Sequence, residues 1–317
     1  MTAPTVLFAG RANDRPAYAA ALSAAADEAG LEMTLVMDPD EVDRAAVDYL
    51  VFSANGPVQT FEGFERLKAI LNLWAGVEVV LGLPLPDDVP LVRMVEDGLT
   101  LGMVDYISGH VLRHHLDIDC YIGSQVGGGP WEVGFPPLAR DRRVTVLGLG
   151  VLGTVCAERL VHHGFDVTGW ARSPKSIPGV RCLSGPEGFT TALDGAEILI
   201  LLLPQTPATE RLINAETIAR LAPGSCVINA GRGPLIDNAA LLAALDSGHL
   251  RHATLDVFDV EPLPVDDPFW AHPRVTVTPH IASVTRPETA ATSLVAQIMR
   301  GEAGEPFWHV VERGRGY

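Results

Sequence analysis

Cysteine is scarce in this chain and shows no pairing pattern: Cys120, Cys156, Cys182 and Cys226 are all there are, with no Cys-x-x-Cys among them. That excludes a disulfide-built secreted scaffold and a cysteine-based metal or redox motif, and predicts reduced, mostly buried thiols in a cytoplasmic protein. Long apolar runs are missing too. Runs such as Ile198-Leu-Ile-Leu-Leu-Leu203 are strand-sized, far short of the ~20 residues that span a bilayer. The opening Met1-Thr-Ala-Pro-Thr-Val-Leu-Phe-Ala-Gly10 has neither a basic region nor an apolar segment of signal-peptide length. Positive charge is in deficit: 23 Lys and Arg against 39 Asp and Glu leave a net charge of −16. Nucleic acid and anionic membranes are therefore not the expected partners. An anionic ligand would have to be held by a local cluster of cations, and no metal is expected.

What the chain does contain is the composition of a folded protein with two cores. Its 317 residues are 47% hydrophobic and 20% charged, and that length exceeds what one ordinary core organises. Strand-like and helix-like segments alternate through the first hundred residues. Thr5–Ala9 reads as a strand, Ala17–Ala29 as an alanine-rich helix, then Glu32–Met37 and Tyr49–Ser53 as strands. A helix near Phe61–Lys68 precedes strands at Ala69–Leu73 and Leu91–Val95. Such alternation predicts βαβ units and a parallel sheet. A helical stretch from Gly102 to about Ile122 runs into the breaker Gly127-Gly-Gly-Pro130. A second α/β series opens at Arg143-Val-Thr-Val-Leu147 and continues to about Ser283, and Pro287–Met299 reads as one more helix.

Two sets of residues carry chemistry. In the first, the strand Val144-Thr-Val-Leu147 turns into a helix over Thr154–His162 through Gly148, Gly150 and Gly153, in Gly-x-Gly-x-x-Gly spacing. The first glycine permits the tight turn, the second lets the backbone approach a pyrophosphate, and the third lets helix and strand pack closely. The next strand, Asp166–Trp170, should end on the acid that grips the ribose hydroxyls of NAD, and no acid is there. Ala171-Arg-Ser-Pro-Lys175 stands in its place. The guanidinium of Arg172, the hydroxyl of Ser173 and the ammonium of Lys175 suit a 2′-phosphate, so the expected cofactor is NADP(H).

In the second set, Arg232, Glu261 and His280 each close a short apolar run that looks like a buried strand: Cys226–Gly233, Ala253–Glu261 and Arg274–His280. Runs of this kind belong to parallel sheets covered on both faces, whose ligands bind beyond the carboxyl ends of the strands. Three such strands would bring a fixed cation, an acid and a tunable acid/base to one cleft edge, a combination suited to an anionic substrate.

The glycine fingerprint, Leu201-Leu-Leu-Pro204, Asn229-Ala-Gly-Arg-Gly233, Leu255-Asp-Val-Phe-Asp-Val-Glu-Pro262 and Thr278-Pro-His-Ile-Ala-Ser283 occur in that order. Together they resemble the D-isomer-specific 2-hydroxyacid dehydrogenases, from about Leu67 to the C-terminus. Trp170–Gly179, Pro279–Pro287 and the terminal Arg315-Gly-Tyr317 are similar to the glyoxylate/hydroxypyruvate reductase A group within that family. The resemblance implies two doubly wound parallel-sheet α/β domains. A flavodoxin-like substrate-binding domain, residues 1–101 and 285–317, would hold an inserted NADP-binding Rossmann domain, residues 102–284, which includes the region of a homodimer interface.

It also implies cofactor contacts from Gly148, Gly150, Val151, Leu152, Gly153, Trp170, Arg172, Ser173, Lys175, Leu203, Pro204, Ala230, Gly231, Arg232, Asp256, His280, Ala282 and Ser283. Substrate contacts would come from Trp74, Ala75, Gly76, Val77, Arg232 and His280, the turn at Gly76 offering backbone N–H groups to a carboxylate. Trp74 is bulkier than the small residue common there and either caps a small pocket or packs in the core. Glu78 stands where many relatives have aspartate.

The activity so implied is NADPH-linked reduction of small 2-oxo acids such as glyoxylate and hydroxypyruvate to 2-hydroxy acids. His280 would be the general acid, Glu261 its partner and Arg232 the carboxylate anchor. A phosphoglycerate or formate dehydrogenase of the same family is the nearer rival. A non-catalytic, dinucleotide-sensing protein on the same scaffold is the more distant one.

Overall fold

Residues 3–129, 131 and 134–315 are described by a computed structural model. Pro130 of the breaker and Gly316 and Tyr317 of the terminal motif lie outside the described residues. The chain divides into two compact units, Met1–Leu99 with Val284–Tyr317, and Thr100–Ser283.

The first unit is built on strands β1 (Thr5–Ala9), β2 (Thr34–Val36), β3 (Tyr49–Phe52), β4 (Ala69–Asn72) and β5 (Leu91–Val92), with helices α1 (Arg15–Ala29) and α2 (Glu78–Leu81). The strands are parallel in the order β2-β1-β3-β4-β5, the flavodoxin-like order. Every residue of β3 and β4 is buried, which is why these strands are continuous rather than alternating apolar runs. On one face, α1 lays down Tyr18, Leu22 and Ala26 at four-residue spacing beside the C-terminal helix Pro287–Glu302, which contributes Ala290, Ala291, Leu294, Val295 and Ile298. Helix α1 ends at Gly30, whose left-handed φ of 67° turns its amide back onto the carbonyls of Ala26 and Asp27.

The helix expected over Phe61–Lys68 is a series of turns. Phe61, Phe64 and Leu67 do bury at helix-like spacing on the other face of the sheet, but Gly63 at φ 85° breaks any helical backbone.

The second unit takes in most of α3 (Asp97–His115) and all of α4 (Ile118–Gly127). The single helical stretch expected over Gly102–Ile122 is thus two helices, interrupted where Asp117 adopts a left-handed φ of 57°. Beyond them lie seven parallel strands: β6 (Arg143–Leu147), β7 (Asp166–Ala171), β8 (Val180–Ser184), β9 (Ile198–Leu201), β10 (Ser225–Asn229), β11 (Leu250–Leu255) and β12 (Val275–Val277). Their order is β12-β11-β10-β9-β6-β7-β8. The chain builds outward from β6 to β8, returns to pair β9 against β6, and builds outward the other way. That reversal marks the switch point of a Rossmann sheet, where ligands bind.

Helices α3 and α5 (Val151–His162) cover one face, placing Ile107, Val111, Cys156, Ala157 and Leu160 over Val144, Val146, Ile198 and Ile228. Helices α6 (Gly185–Leu193), α7 (Ala215–Ile218) and α8 (Asn238–Asp246) cover the other around Leu147, Leu199 and Val227. Truncating a side chain such as Leu147, which is 0% exposed, costs about 2–5 kcal/mol. Strand β10 is fully buried and β11 nearly so, as their apolar runs predict. β12 is the edge of the sheet and is only half-buried, so bonds from elsewhere must hold the loop at its C-terminal end.

Candidate active site

Strands β10, β11 and β12 are neighbours, and each leads into one member of the Arg232, Glu261, His280 set within the second unit. Arg232 lies in the turn after β10. That turn is clamped by Asn229, 1% exposed, whose Nδ2 donates to the Arg232 carbonyl at 2.9 Å while its Oδ1 accepts the Gly231 amide at 3.1 Å. A buried amide satisfied on both sides fixes the turn far better than a solvated loop could. Gly233 then lets the chain lie directly on the segment after β11: a Cβ there would sit 2.0 Å from the carbonyl carbon of Phe258.

The amide of Phe258 donates to Glu261 Oε1 at 2.9 Å, and Glu261 Oε2 lies 2.7 Å from His280 Nδ1. An ionised carboxylate only accepts, so Nδ1 carries a proton and Nε2 is the nitrogen left for chemistry. The pair is partly open, with side-chain exposures of 51% for His280 and 35% for Glu261. The hydrogen bond that His280 donates to Glu261 is the chief reason that the His280 pKa is raised above its ordinary value. Burial opposes the shift, the Glu261 charge adds to it, the Arg232 cation opposes it, and the Asp256 charge adds a smaller part. Glu261 is displaced the other way. Burial pushes its carboxyl up, but hydrogen bonds from His280 and the Phe258 amide, with the charges of His280 and Arg232, bring it below its ordinary value. Arg232 thus acts electrostatically on both members of the pair.

The loop bearing His280 is held by Asp256, 1% exposed. Its carboxylate accepts the Ile281 amide at 2.9 Å, the Ala282 amide at 2.8 Å and the Thr278 hydroxyl at 2.6 Å, and its carbonyl accepts the His280 amide at 2.9 Å. Asp256, a cofactor contact by the family resemblance, places its carboxylate in this loop. Asn229 and Thr278 were not singled out from sequence. A polar residue closing an apolar run was the available signal.

The glycine turn joins β6 to α5. Gly148 adopts φ 107°, and a Cβ there would lie 2.5 Å from the Leu202 carbonyl oxygen; a Cβ on Gly153 would lie 1.8 Å from the Gly148 oxygen. At Gly150 a Cβ would meet nothing within 4 Å, leaving an open approach in front of the α5 N-terminus. That is the cradle a pyrophosphate requires, so the residues present fit a dinucleotide. Val151 is exposed beside it, and Leu152 half-buried. Arg172, Ser173 and Lys175 come directly after β7 and are all exposed. Trp170 donates from Nε1 to the Gly185 carbonyl at 2.8 Å and stacks edge-on against Phe189. Leu203, Ala230, Gly231 and Ala282 are buried, so only their backbone or a sliver of side chain can meet a ligand. Pro204 and Ser283 are half-buried.

In the first unit, the turn Trp74–Val77 comes after β4. Asn72 Nδ2 donates to the carbonyls of Trp74 (2.8 Å) and Gly76 (3.0 Å), and Met94 donates to Trp74 O at 3.1 Å. With two carbonyls tied down, the amides of Ala75, Gly76 and Val77 bond to no acceptor among the described residues. Successive amides in a turn are one way a backbone binds an anion. Trp74 itself is half-buried against the apolar core of that unit.

Among the described residues no cluster of His, Cys, Asp and Glu could hold a metal ion, and no helix is long and apolar enough to cross a membrane.

Residues 120–282 match the family model for the NAD-binding domain of D-isomer specific 2-hydroxyacid dehydrogenases. A protein of Serratia proteamaculans named glyoxylate/hydroxypyruvate reductase A is 42% identical over 258 residues, 80% of this chain and 82% of that one. The solved structure of a D-isomer specific 2-hydroxyacid dehydrogenase from Xanthobacter autotrophicus Py2, in complex with NADPH and MES, superimposes with a TM-score of 0.92 at 42% identity, covering 100% of both chains. That of an NADPH-dependent glyoxylate/hydroxypyruvate reductase from Sinorhizobium meliloti, in complex with NADP and sulfate, gives a TM-score of 0.87 at 34% identity, again over 100% of both.

Proposed function

The chain belongs to the D-isomer specific 2-hydroxyacid dehydrogenase family, and from that premise we propose that it reduces glyoxylate and hydroxypyruvate to glycolate and D-glycerate with NADPH. The observation that carries this reading is the 2.7 Å pair between His280 Nδ1 and Glu261. It leaves Nε2 of a histidine with a raised pKa as a proton donor. NADPH, when bound, supplies a hydride to the 2-oxo carbon. His280 delivers the proton to the 2-oxo oxygen from Nε2, while Glu261 stabilises the imidazolium and fixes the ring. Arg232 pairs with the substrate carboxylate and 2-oxo oxygen through its donor fork. Within the substrate domain, the turn Trp74–Val77 is the proposed substrate-binding turn, offering the amides of Ala75, Gly76 and Val77 to a carboxylate, while Trp74 packs against that domain's core.

The cofactor is held by the turn Gly148–Gly153 and the α5 N-terminus, with Arg172, Ser173 and Lys175 on the 2′-phosphate. Residues 1–101 with 285–317 serve as the substrate domain and 102–284 as the NADP domain. The decisive assay monitors NADPH oxidation with glyoxylate. Turnover with NADPH well above that with NADH supports the reading, and no turnover with either rejects it in favour of a sensing protein.

A homodimer belongs to the same reading. Tyr121, Ile122, Val126, Trp131 and Phe135 are exposed, the last two at 96% and 90%. Apolar surface of that extent calls for a partner, and a second copy of this chain is the one proposed. The reading also puts the enzyme in the cytoplasm, where an exposed free thiol such as Cys120 stays reduced.

A further inference from the structure

Of Arg232, Glu261 and His280, only His280 has a left-handed backbone, at φ 54°. A non-glycine residue does not prefer that region, so the surroundings must hold it there. β12 cannot do so by packing alone, because it is a short, half-buried edge strand. The holding bonds converge on Asp256, whose carboxylate takes the Thr278 hydroxyl and the amides on the far side of His280. Since that carboxylate can only accept, the one hydroxyl proton of Thr278 is committed to it.

Thr278 Oγ1 must then accept from its other neighbour, the hydroxyl of Tyr106, 2.7 Å away. Burial raises the pKa of this phenol well above its ordinary value, so Tyr106 keeps a proton to donate. The chain of donation therefore runs one way, from Tyr106 to Thr278 to Asp256. Its outer end is firmly anchored. Tyr106 sits on α3 beside Ile107, which is 0% exposed in the core of the second unit.

We propose that Tyr106 and Thr278 are positioning residues for His280, acting through the buried carboxylate of Asp256. They touch no reacting atom; they set where the imidazole stands relative to Glu261. The inference rests on His280 being the proton donor, and hydrogen-bond chains of this kind strengthen one another when complete.

The test uses Thr278→Val, Thr278→Ser, Tyr106→Phe and the Tyr106→Phe/Thr278→Val pair in the full-length enzyme. Two readouts are needed: the titration of His280 by NMR of histidine-labelled protein, assigned against His280→Ala, and kcat and KM for glyoxylate. Thr278→Val should lower kcat by about 10-fold, the cost of one buried hydrogen bond left unmade, with NADPH affinity unchanged. It should also move the His280 titration down toward the ordinary value. The Glu261 hydrogen bond is the largest cause of the raised pKa and the Asp256 charge the smallest, so loosening the former governs the direction. Thr278→Ser, which keeps the hydroxyl, should restore both. Tyr106→Phe should shift both in the same sense by less, and should add nothing once the Thr278 hydroxyl is gone.

A wild-type titration and kcat in Thr278→Val, a failure of serine to rescue, or an equal Tyr106→Phe effect with and without Thr278 would each overturn the proposal. A wild-type enzyme inert toward glyoxylate would reject the functional reading instead, and the titration would still decide the positioning.

Discussion

At the scale of single residues, His280 is defined by its surroundings: Glu261 on Nδ1, Arg232 acting at range, and a backbone tied to Asp256. Removing the imidazole leaves the cofactor turn untouched. His280→Ala should therefore still bind NADPH, by fluorescence titration, while glyoxylate turnover drops about 10²–10⁴-fold, the usual worth of a positioned acid. Arg232, Glu261 and His280 are legible in the sequence because a charged residue ending an apolar run is conspicuous. Asn229, Thr278 and the loop-holding role of Asp256 are not. Their partners are main-chain amides, carbonyls and the hydroxyl of Tyr106 on a distant helix, and only the folded chain brings these together.

At the scale of elements, the turn between β6 and α5 separates two functions of glycine. A side chain at Gly150 meets nothing, whereas one at Gly153 meets the Gly148 oxygen. Gly150→Val should melt at the wild-type temperature yet bind NADPH about 10-fold or more weakly, through loss of a charge-assisted contact to phosphate. Gly153→Ala should instead lower stability by about 1–3 kcal/mol through overpacking, read as a reduced melting temperature without cofactor. At the end of β7, Arg172→Asp should raise the NADPH KM by about 10- to 100-fold and leave kinetics with NADH nearly unchanged. A variant that loses NADH and NADPH equally would remove Arg172 from the phosphate site.

The strands were legible as elements because continuous burial leaves continuous apolar runs, and β1, β3, β4 and β6 match their runs within a residue. Phe61, Phe64 and Leu67 bury at helical spacing without a helix, since periodicity reports which side chains face inward and not how the backbone carries them. The break at Asp117 has no proline or glycine to announce it.

At the scale of the molecule, a net charge of −16 sets an unfavourable field for a substrate and cofactor that are both anions, so affinity is expected from local cations, for which Arg172, Lys175 and Arg232 are the proposed residues. Raising ionic strength should accordingly weaken cofactor binding at the exposed Arg172 and Lys175. The exposed apolar side chains between Tyr121 and Phe135 lead to a further expectation. Sedimentation should give twice the chain mass, and Ile122→Asp with Val126→Asp should give monomer.

The central claim is that the imidazolium of His280, stabilised by Glu261, donates the proton in reduction. Because the His280 pKa is raised, the protonated acid persists above its ordinary range, and glyoxylate reduction should fall only as pH rises through that raised value. The pH–rate profile of wild type beside Glu261→Gln is the direct measurement. With the stabilising charge gone, the descending limb should move to lower pH in the variant. A limb that stays where the wild type has it would contradict the account.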